Sequence, residues 1–329
     1  MQAIPPSLLD WPRRALAFLG RYGAQGFALS IVLSFALQRF SGAVKPFLGA
    51  LIFCFVAINT MRADWPALRR LAGRPWRVAA ALVLSTLAPF VTVAAIVAIL
   101  GRDAFEPGLL LGLAIAAAAP PLVAAPAYAL LLGFSNALPL TLLALGMAIA
   151  PVVSPLIADV IVGAAVPLDR IALMGRLAIF LFGAMTVGLA ARRLIGGAWI
   201  AARSAELNGL GVVLFFLFAV ALTESLATAA MEQPLRAALY LGVGFGVSAI
   251  AFMLALFAWL PVDRMEAAPL AITAGLRNTG LLIAALGVNE VPPETFLFFA
   301  LLQFPIYFAP QIVKPFLRLI HGRAAEPRV

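Results

Sequence analysis

The chain is poor in the side chains that catalysis and metal binding most often use. Its 329 residues include one cysteine, Cys54, and one histidine, His321, and only 11% of them are charged. A single cysteine excludes a disulfide framework and a thiolate metal site. Because His321 lies near the end of the chain, a histidine-based catalytic or metal site is nearly excluded, and we expect no cofactor.

Apolar residues make up 64% of the chain, and the mean hydropathy is +1.06. An ordinary soluble domain is about 45–50% apolar and about 25% charged. The composition therefore argues against a soluble enzyme, a disordered tail and a nucleic-acid-binding module. It predicts an all-α polytopic membrane protein whose partner is the lipid bilayer.

A transmembrane helix needs about 20 mainly apolar residues. Ten stretches meet this length. They are residues 22–38, 44–60, 78–100, 107–132, 137–164, 171–191, 208–226, 236–260, 267–289 and 294–317. The amino end does not have the pattern of a secretory signal peptide.

Basic residues predict the orientation of these spans. Of the 23 Lys and Arg residues, sixteen fall on the side that would hold both termini and six on the other side. Cytoplasmic loops carry the excess of positive charge, so we expect both termini in the cytoplasm. We expect the protein itself to lie in a bacterial inner membrane. The remaining residue is Arg277, in the middle of the ninth span.

Two spans contain helix-breaking residues near their centres. The fourth carries Pro120, Pro121 and Pro126, and proline removes an amide donor and clashes with the preceding turn. The ninth carries Gly275 and Gly280 around a polar segment. Non-helical backbone at this depth is tolerated only inside the protein or beside a wet cavity.

The two breaks occupy matching positions when the chain is divided into residues 1–166 and 167–329. Five spans per half make the second repeat inverted, and paired broken helices in inverted repeats are typical of a transporter's binding site. Alternatively, the prolines are simple kinks, which are common in membrane helices.

The ten spans and the paired breaks resemble the bile acid:sodium symporter family. Residues 273–280, Thr-Ala-Gly-Leu-Arg-Asn-Thr-Gly, are similar to that family's Glu-Val-Gly-Met-Gln-Asn-Ser-Gly segment in the ninth helix. The segment that begins at Ala119 is similar to its fourth-helix Cys-Pro-Gly-Gly-Thr-Ala-Ser-Asn segment, with Pro120 and Ala124 kept. The resemblance implies that helices 4 and 9 cross in a core of helices 3–5 and 8–10. A panel of helices 1–2 and 6–7 would stand against this core.

The same resemblance implies sodium ligands at positions where this chain has other residues. Thr273 stands at the family's glutamate, Arg277 at its glutamine, and Ala125-Pro126 at its Ser-Asn pair. Because the carboxylate is lost and a permanent positive charge is gained, we expect neither sodium site to be present.

An arginine in the middle of a bilayer costs at least about 2.5–3.5 kcal/mol and therefore needs partners. Arg277 has three possible partners: the carbonyl ends of the broken helices, an anionic substrate, or an acidic side chain. We favour the first, in which the guanidinium replaces the sodium ion. The second would follow from it, since the guanidinium fork suits carboxylate oxygens.

The candidate substrate-binding residues lie in or beside the two breaks. They are Arg277, Asn278, Thr279, Thr273, Pro120, Pro121, Pro126, Tyr128 and Gln303. Asn278 and Thr279 are expected to cap the broken helix ends or to contact substrate. Ser85 is expected to bond back to its own helix.

These features favour a secondary transporter of a small organic anion that works by alternating access without sodium. The alternatives are a sodium-dependent symporter, a channel, and a sensor or scaffold that does not transport. An intramembrane enzyme is disfavoured because no span has a His, Asp or Glu near its centre.

Overall fold

The computed structural model describes residues 11–63 and 74–321, which are helical almost throughout and contain no strand. The α-helices are α1 (Trp11–Arg21), α2 (Gly23–Ser34), α3 (Ser41–Val44), α4 (Leu48–Arg62), α5 (Pro75–Leu100), α6 (Pro107–Ala118), α7 (Ala125–Leu131), α8 (Ala137–Val162), α9 (Arg170–Ile195), α10 (Gly197–Ala202), α11 (Ser204–Glu232), α12 (Pro234–Trp259), α13 (Arg264–Gly275), α14 (Thr279–Leu286) and α15 (Pro293–His321). Short 3₁₀ turns connect some of them. Four of the arginines counted for orientation, Arg69, Arg70, Arg323 and Arg328, lie outside the described residues.

Seven helical segments of the described chain are long and apolar enough to cross a membrane. They are Leu29–Met61, Pro75–Leu100, Ala137–Ala165, Arg170–Ile195, Ser204–Glu232, Pro234–Trp259 and Pro293–Leu317. The prediction of an integral, polytopic, all-α membrane protein is confirmed at this level. The count of ten spans and the inverted repeats stay predictions.

Helix α5 shows how the long helices distribute their side chains. Its large apolar residues Val83, Leu87 and Val91 are exposed at one-turn intervals, whereas small residues such as Ala81 and Ala88 are buried. In a membrane, helices pack through small residues because lipid tails are as apolar as leucine. The exposed stripe of α5 is therefore the surface expected to face lipid.

The chain divides into two compact units. The first contains residues 1–62 and 184–224, and the second contains residues 63–183 and 225–329. Both breaks that the sequence predicts lie in the second unit.

In the first unit, the segment from α2 to α4 runs along α11 and then returns. A Cβ on Gly26 would lie 3.0 Å from Val212 near the start of α11. The backbone N–H of Glu224, about 18 Å further along the helix, donates to the Ser41 hydroxyl at 3.3 Å. Arg62 then donates from Nη2 to Asn208 Oδ1 at 2.6 Å, back near the start of α11.

In the second unit, four short helices replace two long ones. Helices α6 and α13 have 12 residues each, and α7 and α14 have 7 and 8. At 1.5 Å per residue the longest of them spans about 18 Å, which is too short to cross the hydrocarbon core alone. Eleven of the 12 residues of α6 and the last nine residues of α13 are buried, as expected for helical segments that are apolar on every side.

Candidate transport site at the crossing of the broken helices

The first break follows from the local chemistry of its prolines. The residue before a proline is pushed out of the helical region, and Ala119, which precedes Pro120, has the extended angles φ −58° and ψ 145°. Pro121 prolongs the interruption. Pro126 lies in the first turn of α7, where its missing N–H has no helical partner to lose.

The second break is formed by residues 276–278 rather than by the glycines that mark it in the sequence. Leu276 is extended, with φ −112° and ψ 113°. Gly275 ends α13, Gly280 lies in α14, and neither has a positive φ. The break therefore lies between the two glycines, as predicted, although neither glycine itself leaves the helical conformation.

Gly275 is needed for a close helix contact. A Cβ at this position would lie 2.8 Å from Phe252 Cβ and 2.9 Å from the Ser248 carbonyl oxygen, both on α12. Real Cβ atoms essentially never approach this closely, so a larger residue would push α13 away from α12.

We expect Gly275→Ala to lower the free energy of unfolding by about 1–3 kcal/mol, the usual cost of overpacking a tight interface. Gly246→Ala on α12 is the matched control because no described residue lies within 4 Å of its Cβ position. That variant should be stabilised by about 0.5–1 kcal/mol. Denaturant unfolding of both proteins measures the difference, and equal stabilities would show that the α12–α13 contact is not tight.

The two breaks pair with each other through their backbones. Pro121 and Arg277 form an isolated antiparallel bridge. Leu122 N–H donates to the Leu276 carbonyl at 3.1 Å, and Asn278 N–H donates to the Pro120 carbonyl at 2.9 Å. Each extended segment thus satisfies polar groups that the other leaves open, as buried backbone requires.

Arg277 lies inside this crossing and is only 5% exposed. Its Nη1 donates to the Ser85 carbonyl of α5 at 3.0 Å and to the Thr273 carbonyl of α13 at 3.4 Å. Among the described residues it forms no salt bridge, so the structure shows no acidic partner.

Both carbonyls lack a regular helical donor. Ser85 would normally accept from the residue four positions later, but that residue is Pro89, which has no N–H. Thr273 lies in the last turn of α13, where carbonyls have no intrahelical partner. The last turn of a helix also carries partial negative charge, which favours a cation at this place.

The two hydrogen bonds are strong enough to explain why a charge is tolerated here. A hydrogen bond to a charged group contributes about 1.5–3 kcal/mol. Two of them match the cost of at least about 2.5–3.5 kcal/mol for an arginine at the bilayer centre. Nε is buried and has no hydrogen-bond partner among the described residues.

The space beside Arg277 is small. A void of about 10 Å³ is lined by Arg277, Pro89, Gly275 and Leu302, among others. This volume holds at most one water molecule. In this conformation, therefore, no organic anion fits against the guanidinium.

Other predicted site residues bond mainly to nearby backbone. Thr273 Oγ1 donates to the Pro269 carbonyl at 2.8 Å. Gln303 Nε2 donates to the Phe299 carbonyl at 2.9 Å and lies 3.4 Å from Thr279 Oγ1. Asn278 precedes α14, and its side chain makes no cap hydrogen bond among the described residues. Of the two alternatives expected for Asn278, contact with substrate therefore stays a prediction.

Tyr128 of α7 borders a separate cavity of about 130 Å³. The lining is almost wholly apolar and includes Phe245, Phe252 and Phe316. Tyr128 is 2% exposed, and its buried hydroxyl has no hydrogen-bond partner in the part of the chain that the structure describes. The cavity lies beside the crossing, since Leu276 also lines it.

Comparison with known proteins gives no family. No protein-family model matches the chain, and no curated protein matches it. The resemblance to the bile acid:sodium symporter family therefore stays a prediction.

One functional group at the crossing escaped the sequence analysis. Ser85 Oγ bonds back to the Leu82 carbonyl at 2.9 Å, as predicted, but the atom that matters is the Ser85 backbone carbonyl. The signal was present in the sequence, because Pro89 four residues later leaves this carbonyl without a donor.

Proposed function

We propose that the protein is a secondary transporter of a small organic anion, that it works by alternating access rather than as an enzyme, and that Arg277 takes the place of a coupling cation. The contact of the Arg277 guanidinium with two carbonyls that lack a helical donor carries this proposal. A metal ion would be held by such carbonyl oxygens at the ends of broken helices. A covalently attached cation satisfies the same oxygens without depending on dissolved sodium.

The proposal includes ten spans in two inverted repeats, residues 1–166 and 167–329. The segment from α2 to α4 runs along α11 and returns, which supports two passes through the membrane. In the count of seven, this part of the chain is the single span Leu29–Met61. Each pair of broken helices supports one further pass. With these additions the seven long helices become ten spans. Spans 3–5 and 8–10, numbered in chain order, form the core, and spans 1–2 and 6–7 form the panel.

An organic anion is the substrate class that the charge at the crossing favours. Among the described residues near the crossing, Arg277 is the side chain with a permanent charge, and an acidic neighbour does not neutralise it. Because the void beside it is about 10 Å³, substrate would reach the guanidinium only in another conformation. Asn278, Thr279, Tyr128, Gln303 and the proline segment would then border the substrate.

Reconstitution into liposomes tests transport and its coupling. Liposomes are loaded with benzoate, a short aliphatic 2-oxo acid or cholate, and counterflow of the same labelled anion is followed in sodium and in potassium buffer. We expect uptake of at least one of these anions at equal rates in the two buffers. A rate that rises steeply with sodium would favour a sodium symporter and defeat the role given to Arg277.

A sensor or scaffold without transport activity is the second candidate, and the small void beside Arg277 favours it. It predicts that an anion stabilises the purified protein without any counterflow. Arg193 is an exposed arginine of α9, and Arg193→Gln serves as the control variant. If stabilisation by the anion depended only on total positive charge, this variant would lose it as well.

The proposal also places both termini in the cytoplasm and the protein in a bacterial inner membrane.

A further inference from the structure

Two long helices in opposite halves of the chain begin with the same pattern. Pro75-Trp76-Arg77 starts α5, and Pro234-Leu235-Arg236 starts α12. In both, the proline occupies the first position of the helix, where it loses no hydrogen bond, and an arginine follows two residues later. A shared start of this kind indicates that the two arginines have matching surroundings.

An acidic residue stands immediately before the first part of each broken helix. Glu106 precedes α6 and Asp263 precedes α13. Carboxylates are favourable at helix N-termini because the helix dipole is positive there. The sequence therefore repeats both members of a possible ion pair, one on a long helix and one on a short helix.

The structure joins these residues across the two halves of the chain. Arg77 donates from Nη2 to Asp263 and from Nε to Glu266 Oε2 at 3.0 Å. Arg236 donates from Nη2 to Glu106. Thus the arginine of the first half binds the broken helix of the second half, and the arginine of the second half binds the broken helix of the first.

We propose that Arg77 and Arg236 are matching positioning residues, which anchor the starts of α13 and α6 and thereby hold the crossing of the broken helices in register. Each of these 12-residue helices has one end at the crossing and the other end at an arginine about 18 Å away. Holding the far end restrains sliding and rotation of the short helix about its axis. This inference goes beyond the transport proposal, because the arrangement would also be needed in a protein that does not transport.

The two anchors differ in strength. Asp263 Oδ1 also accepts from the backbone N–H groups of Met265 and Glu266, at 2.8 and 3.1 Å. Glu106 makes no such cap, and its buried Oε1 has no partner within residues 11–63 and 74–321. We therefore expect the Asp263 end to be held more firmly than the Glu106 end.

The pKa of Asp263 agrees with this arrangement. Burial acts to raise it, but the hydrogen bonds from Glu266 and Met265 and the nearby Arg77 charge together lower it below its usual range. Arg236 has further contacts of its own, donating to Gln233 Oε1 at 2.8 Å and lying 5.8 Å from the centre of the Tyr240 ring. Arg236 is thus held in place by residues of its own helix start as well as by Glu106.

Hydrogen exchange of the full-length protein in lipid nanodiscs tests the inference without any transport measurement. The probes are the amides of Leu122 and Asn278, which donate across the crossing. We expect Arg77→Gln and Arg236→Gln each to speed exchange at these amides about fivefold, because partly exposed ion pairs make modest contributions. Exchange in α11 residues 204–224 should not change.

Conservative variants and a matched control complete the experiment. Arg236→Lys keeps the charge and should restore most of the protection, whereas Arg193→Gln should leave the crossing at its wild-type exchange rate. Glu106→Gln provides a second route if Arg236→Gln does not fold, and it should give the same local effect. Wild-type exchange at Leu122 and Asn278 in Arg77→Gln and Arg236→Gln, or an equal increase in every helix of these variants, would overturn the proposal.

Discussion

Replacing Arg277 by glutamine is expected to lower the free energy of unfolding by about 2–4 kcal/mol. The shorter amide cannot reach both the Ser85 and the Thr273 carbonyls, and a buried polar group without a partner costs about 1–3 kcal/mol. Relief from burying the guanidinium charge offsets part of this loss. The measurement is denaturant unfolding of the purified protein in a single detergent.

Two further variants separate the role of this side chain from a general effect of charge. Arg193→Gln removes an exposed arginine and should change stability by no more than about 0.5 kcal/mol. Arg277→Lys keeps a positive charge but has a single nitrogen in place of the guanidinium fork, so its stability should be intermediate. If Arg277→Gln were as stable as Arg193→Gln, the guanidinium would not be holding the broken helix ends.

The location of the first break could be predicted because its cause is local. Proline restricts its own φ, removes a donor and displaces the preceding residue from the helical region. These effects depend only on Ala119, Pro120 and Pro121, and no distant contact is needed to produce them. The prediction therefore required only the sequence and covalent geometry.

The contacts inside the crossing depend on residues that are far apart in sequence. Arg277 bonds to the carbonyl of Ser85, which is 192 residues away. The sequence indicated that Arg277 needs a partner, but it left carbonyls, a substrate and an acid as alternatives. Only the packing of α5 against the end of α13 decides between them in this conformation.

The role of Gly275 shows the same limit. A glycine beside a break in the sequence is readily interpreted as a residue that needs a positive φ. In the structure it is helical, and it is small because α12 lies against it. Such a requirement depends on the neighbouring helix, so no local pattern could have revealed it.

Substitution of Pro89 by alanine is expected to have opposite effects in two backgrounds. A proline inside a helix normally costs about 3 kcal/mol or more, so Pro89→Ala should stabilise α5 by itself. In the wild-type protein, however, the new N–H would bond to the Ser85 carbonyl and straighten the helix, which takes this oxygen away from Arg277. We therefore expect Pro89→Ala to destabilise the wild type by about 1–2 kcal/mol, because the lost hydrogen bond to a charged group contributes about 1.5–3 kcal/mol and the gain in α5 offsets only part of it.

In the Arg277→Gln background, the same substitution has no guanidinium contact to disturb and should stabilise the protein by about 1 kcal/mol. Unfolding free energies of the four proteins form a double-mutant cycle, whose coupling should be about 2–3 kcal/mol. Pro155→Ala is the control, because Pro155 is also a buried proline inside a helix, α8. The residue of α8 that contacts the first break is Gly146, and Pro155 lies about 13 Å further along the helix. Its coupling with Arg277 should stay within about 0.5 kcal/mol. Equal couplings for the two prolines would mean that the carbonyl freed by Pro89 is not what holds the buried cation.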